Sequence, residues 1–212
     1  MNTVSKFLLA CVAVAAIAIP ASAQIGLSLS PVTSTVGVGG TATYNLNISG
    51  LFGSADYTGP ALGGYMIQLD YNSAIASATA VNFGNNLGVD LVNLSGGALQ
   101  TSDTSTPGQV FLMNISGDSV AALEAAQSKS FTLATITLQG VSQGTTSLSF
   151  DTTSFPPELT DASSNTLEVN TMTGATLSVI PEPSFTASVF GAAAIGFCAV
   201  RRKFSRRSIC QA

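Results

Sequence analysis

The chain has 212 residues, no histidine and no tryptophan, and seven basic side chains against eleven acidic ones. Five of the bases lie beyond residue 200, so the stretch 24–180 holds Lys129 alone against ten acids, a net charge of −9. That balance repels phosphate backbones and excludes nucleic acid as a partner of the middle; the missing imidazole excludes Ser-His-Asp triads and histidine zinc sites.

In chain order, the start comes first. Lys6 precedes an apolar run of 13 residues, Phe7 to Ile19, short for a membrane span and suited to a signal peptide. Pro20 ends that run, and Ala21-Ser22-Ala23 supplies the small residues that signal peptidase accommodates. The expected cut lies between Ala23 and Gln24, making residues 1–23 an export signal. Leu8-Leu9-Ala10-Cys11 is the rival site, but only four apolar residues precede that cysteine, and the run continues for eight beyond it.

Residues 24–180 show period-2 alternation between Gly- and Pro-rich turns. In Thr41–Ile48 the even positions form an apolar face that includes Tyr44, Leu46 and Ile48. Phe131 and Leu133 are out of phase with Ile136 and Leu138, which predicts a bulge near Ala134. Leu148 with Phe150, Leu167 with Val169, and Leu177 with Val179 alternate in the same manner. The expected core therefore includes Tyr44, Leu46, Ile48, Leu148, Phe150, Leu167 and Val169. One helix is expected over 119–129, capped by Ser119, because Ala121–Ala126 are mostly good helix formers. Short strands at this spacing predict an all-β fold, an antiparallel two-sheet sandwich of jelly-roll type with one short helix. Cysteines occupy 11, 198 and 210 only, so this domain has no disulfide and must be held by its core.

The end has three parts in order. Pro181-Glu182-Pro183 is an extended breaker. Ser184 to Val200 follows, 17 residues without a charge, spanning about 25 Å as a helix, at the short limit for a bilayer core. Arg201, Arg202, Lys203, Arg206 and Arg207 come next and would be retained on the cytoplasmic side. A single transmembrane helix over 184–200, with the β domain outside, is the expected topology.

Two resemblances follow from these residues. The order Pro-Glu-Pro, apolar helix and Arg cluster over 181–212 resembles the PEP-CTERM sorting signal. It implies an exosortase substrate, cleaved near Pro181-Glu182-Pro183 and passed to the surface or matrix of a Gram-negative bacterium that makes exopolysaccharide. Its helix, Gly- and Ala-rich at 191–196, is less apolar than is usual for that signal. The middle resembles cohesin and related extracellular sandwich modules. The residues that carry the likeness are Val36-Gly37-Val38-Gly39-Gly40 before a Thr-rich strand, Gly64–Asn72, Leu133–Leu138, Gly144–Leu148 and Leu159–Asn165. Cohesins bind dockerin modules, but no dockerin-binding residue is matched position by position.

Chemistry-bearing groups are sparse. A Ser-Lys dyad would need Lys129, whose place at a helix end has a simpler account in the helix dipole. No acid lies in a recognisable catalytic motif, so no enzyme and no obligate cofactor is expected. Asp151, Glu158 and Asp161 are the weak candidates for a calcium loop, against turn formation by the same side chains. Tyr57, Tyr65 and Tyr71 are candidate stacking faces for sugars. Three sequons, at Asn47, Asn93 and Asn114, match by chance. The expected role is a surface or matrix protein adhering to polymer or protein, with an exopolysaccharide-binding module as alternative. A linear face of exposed Tyr would favour the alternative; a deep cleft of converging acids would favour an enzyme.

Overall fold

A computed structural model describes residues 24–51, 60–88 and 97–181. In chain order these form β1 (Ile25–Ser30), β2 (Thr33–Gly37), β3 (Thr41–Ser49), β4 (Leu62–Asp70), β5 (Ala76–Phe83), β6 (Ala98–Asp103) and β7 (Gln109–Ser116). Then come α1 (Val120–Ala126), β8 (Ser130–Gly140), β9 (Gly144–Phe150), β10 (Glu158–Asp161), β11 (Thr166–Leu167), β12 (Val169–Thr173) and β13 (Ala175–Ile180). Five strands make one sheet in the order β12-β1-β3-β8-β5. The other eight make the second, which runs β11-β10-β4-β9-β13-β2, with β7 on β4 and β6 on β7. The inner faces meet over one apolar core, so alternation along each strand decides what is buried.

Strand β3 follows its sequence pattern: Ala42, Tyr44, Leu46 and Ile48 are buried between exposed Thr41, Thr43 and Asn45. The expected bulge is present. Leu46 lies opposite Ala134 but Asn47 lies opposite Thr132, leaving Leu133 as the extra residue. Leu133 and Ala134 are therefore both buried, and the phase is reset for Ile136 and Leu138. The freed Leu133 carbonyl accepts from the Gly84 amide at 2.8 Å and from the Tyr65 hydroxyl at 3.1 Å. Tyr44 makes the converse bond, from the first sheet to the Thr176 carbonyl of the second, at 3.1 Å. Two phenols thus tie the sheets together through buried, satisfied hydroxyls. Burial raises the pKa of both, against hydrogen bonds from Ser34 to Tyr44 and from Asn114 to Tyr65.

Three expectations are corrected. The sandwich is not wholly antiparallel: β1 pairs β12 in parallel, and β2 pairs β13 in parallel. The cause is that the first and last runs of the chain each cross from one sheet to the other, at Pro31 and at Gly174, side by side in the same direction. Leu167 and Val169 are half-buried rather than buried, because β11 and β12 are terminal strands of their sheets. The helix stops at Ala126 rather than reaching Lys129. Ser119 caps it as expected, accepting from the Ala122 amide at 3.3 Å. Its end is set by tertiary contact: buried Gln127 is extended, and its amide pairs with Leu62 as a strand would. The Leu62 amide donates to Oε1 and Nε2 donates to the Leu62 carbonyl, both at 2.7 Å.

Among the described residues no helix is long and apolar enough to cross a membrane. The expected segment 184–200 lies outside the described residues, as does the signal 1–23.

Candidate interaction face

The two outer faces of the sandwich differ in chemistry. Strands β12, β1, β3, β8 and β5 contain no charged residue. Their outward positions are mostly hydroxyls and amides in cross-strand rows, Thr43 opposite Thr137, Asn45 opposite Thr135, Asn47 opposite Thr132, with Met172 of the terminal strand β12 exposed as well. These side chains bond to one another: Thr132 Oγ1 donates to Asn47 Oδ1 at 2.8 Å, and Asn47 Nδ2 donates to Ser30 Oγ at 2.9 Å. A face so paired has little unsatisfied polarity to offer a partner.

The outer face of β10-β4-β7-β6 is different. One row sets Thr160 beside Gly64, Ile115 and Leu99; the next sets Glu158 beside Met66, Met113 and Thr101; a third sets Gln68 beside Phe111 and Asp103. Ile115 and Leu99 are 45 % and 48 % exposed, and Met66, Met113 and Phe111 are half-buried. Phe155, from the segment after β9, stands edge-on to Phe111 with ring centroids 5.4 Å apart. Where Gly64 lacks a side chain the sheet is dimpled. This hollow of about 110 Å³ is lined by Met66, Ile115, Glu158 and Thr160 with Gly64 and Tyr65 at its floor. A methyl group at position 64 would stand 3.3 Å from Thr160 Oγ1 and intrude on it. Among the described residues every strand-borne acid lies in this sheet, at Asp70, Asp103, Glu158 and Asp161.

At one end of this face the Gln68 amide donates at 3.2 Å to both Asp70 and Asp151. Asp151 also closes the turn after β9, accepting from the amides of Thr153, Ser154 and Phe155. Those amides hold its carboxyl below the usual range. Asp161 does the same between β10 and β11: burial raises its pKa, but bonds from Asn165 and Ser163 outweigh that and lower it. A shallow polar groove of about 350 Å³ adjoins, lined by Asp70, Tyr71, Asn72, Thr145, Thr146, Ser147 and Ser149.

The sequence-derived candidates fall as follows. Asp151 and Asp161 serve separate turns, and Glu158 stands at the rim of the Gly64 hollow, so the three are not gathered; no cluster of three metal-binding side chains occurs among the described residues. Tyr65 is core and Tyr71 half-buried, its hydroxyl accepting from the Ala78 amide; Tyr57 lies outside the described residues. Asn47 is engaged across strands and Asn114 is 1 % exposed, so neither sequon presents a free amide. Gln24 and Pro181 are exposed at the two ends of the described fold, whereas Ala21, Ala23, Glu182, Pro183 and the basic cluster lie outside it. Met66, Met113, Phe111, Ile115 and Leu99 were not among the sequence-derived candidates. Their signal is the run Val110-Phe111-Leu112-Met113, which is apolar at odd and even positions alike in a strand with one face on the core.

No family model matches the chain, and no curated protein is similar to it. Solved structures are. A cohesin of Clostridium acetobutylicum superposes with a TM-score of 0.56 at 17% identity, covering 74% of this chain and 92% of that one. The seventh ScaB type I cohesin of Pseudobacteroides cellulosolvens gives 0.56 at 12%, covering 76% and 96%. A type I cohesin–dockerin complex of Clostridium thermocellum gives 0.53 at 10%, covering 75% and 95%. The fold is cohesin-like. At these identities the likeness concerns the path of the chain, and the cohesin-like part is the sandwich described above.

Proposed function

We propose that this chain is a non-enzymatic, exported surface protein whose cohesin-like domain recognises a protein partner through the outer face of β10-β4-β7-β6. The observation that carries the reading is the contrast between the two outer faces. One is a self-paired hydroxyl and amide surface without charge; the other sets an apolar row and a hollow among carboxylates. An apolar centre with a polar rim is the make-up of a protein-recognition patch. The Clostridium thermocellum neighbour is a cohesin–dockerin complex, and only the class of partner, a folded protein module, is carried over. The test is capture of surface proteins by the immobilised 24–181 domain and by single variants. Met66→Asp and Ile115→Asp should weaken capture by roughly tenfold or more, and Thr137→Asp on the opposite face should leave it unchanged. Equal capture by all three variants would sink this assignment.

The ends complete the proposal. Signal peptidase cuts before Gln24; 184–200 holds the protein transiently in the inner membrane; exosortase cleaves near Pro181-Glu182-Pro183 and releases the domain to the surface or matrix of a Gram-negative cell. Arg201, Arg202, Lys203, Arg206 and Arg207 set the depth of the helix and so the height of Glu182. Intact mass of the surface fraction, with and without exosortase, tests this: surface protein should lack residues from about 184 onward. The polar groove beside Tyr71 favours a second reading, binding of exopolysaccharide hydroxyls, and binding of isolated exopolymer by the M66D and I115D variants would support it over the first.

A further inference from the structure

We infer that the pole of the sandwich at which the chain leaves is a membrane-contact surface, seated on the lipid interface of the bilayer that 184–200 crosses. This rests on the reading of 184–200 as a membrane segment. The parallel pairing of the first and last runs puts the two ends of the domain at opposite poles: Ile25 starts beside Val169, and Ile180 ends beside Gly37. At the exit pole, backbone bonds gather four apolar side chains. The Val38 amide donates to the Ile180 carbonyl at 3.2 Å, the Gly39 amide to Gly140 at 2.8 Å, and the Val141 amide to Ile75 at 2.7 Å. Val141 and Ile180 are 49 % and 48 % exposed, while Val38 and Ile75 are half-buried.

Charge is distributed to match. The segments that build this pole, 36–42, 71–77 and 139–145, contain no charged residue. Asp118, Glu124, Lys129 and Asp161 all lie at the other pole, around α1 and the β10–β11 turn. A domain of net −9 would be held off an anionic leaflet over most of its surface, and this pole, whose nearest charge is Asp70 in the groove beside Tyr71, is the part that approaches at least cost.

Tether length then keeps this pole close to the bilayer. Three residues separate Ile180 from Ser184, a reach of at most about 14 Å when fully extended. The headgroup zone on one side of the hydrocarbon is itself about 5–7 Å deep. The fold continues to Ile180, whose carbonyl is bonded, so no slack precedes Pro181. With 184–200 in the bilayer, Val141 and Val38 are held within reach of the interface, and their burial there is favourable.

The experiment uses the chain from Gln24 to Ala212 in phosphatidylcholine vesicles, with Cys198 and Cys210 replaced by Ser. A polarity-sensitive probe is attached through Val141→Cys or, at the opposite pole, Ser163→Cys, and headgroup-depth quencher lipids are added. The probe at 141 should shift to the blue and be quenched several-fold more than that at 163. Adding Val38→Asp to the Val141→Cys chain should reduce that quenching. Equal quenching at both positions, with the basic cluster protected from external trypsin, overturns the inference and leaves the membrane segment standing. Removal of the basic cluster by external trypsin overturns the membrane segment and the inference with it.

Discussion

Asp151 accepts three backbone amides in succession and the Gln68 side chain besides. These bonds are stronger to the ionised carboxylate, so its folded pKa lies below the unfolded value of about 3.9. The stabilisation is complete above that unfolded value and is lost as pH falls through the folded one. Urea midpoints taken between pH 7 and pH 2 should therefore fall on the acid side, and Asp151→Asn should flatten that fall while lowering the midpoint at pH 7. Gln127 is another buried polar residue with a purpose, since its amide satisfies both backbone groups of Leu62. Gln127→Ala leaves a buried donor and acceptor unpaired, and equilibrium unfolding should show a loss of about 2–4 kcal/mol. Ser164 has φ of 67°, in the left-handed region, where a Cβ is strained. Ser164→Gly should raise stability by up to about 1 kcal/mol, read as a higher thermal midpoint.

At the scale of elements, β8 shows how a strand serves two phases. Its N-terminal half pairs Ser49 and Ile48 through Ser130 and Phe131, and its C-terminal half pairs Tyr44 and Ala42 through Ile136 and Leu138, with Leu133 absorbing the difference. The bulged carbonyl is held by Gly84 and by Tyr65 from the facing sheet. Tyr65→Phe removes one of those two donors while keeping the ring, and should cost about 1 kcal/mol in chemical denaturation. The bulge was legible in sequence as a conflict between Phe131-Leu133 and Ile136-Leu138. The end of α1 was not, because Gln127, Ser128 and Lys129 carry no strong stop signal. The amide of Leu62, 65 residues away in sequence, decides it.

For the whole molecule, what matters is that two faces and two poles differ. The described fold closes at Ile180, paired to Gly37, so a chain of residues 24–181 should unfold at the same temperature as one of residues 24–212. A lower midpoint for the shorter chain would mean that the tail contributes to the core. The variants Met66→Asp and Ile115→Asp should keep that midpoint within a few degrees, since their side chains lie on the outer face. Their effect belongs to recognition and not to folding.

Alternation of apolar residues determined the all-β class, the inner face of β3 and the inward set Tyr44, Leu46 and Ile48, because a period of two is a local property of a pleated strand. Composition excluded histidine triads and histidine metal sites, because no fold can supply an imidazole that the chain lacks. The parallel pairing of β1 with β12 and β2 with β13 was decided only in three dimensions, since residues some 140 apart must meet before their direction has meaning. The separation of Asp151 from Asp161 came from the same source: proximity in sequence is undone when two turns each claim one carboxylate for their own amides. So did the apolar patch of Met66, Met113, Ile115 and Leu99, because an outward side chain becomes part of a surface only when the register of β4, β7 and β6 lines it up with its neighbours.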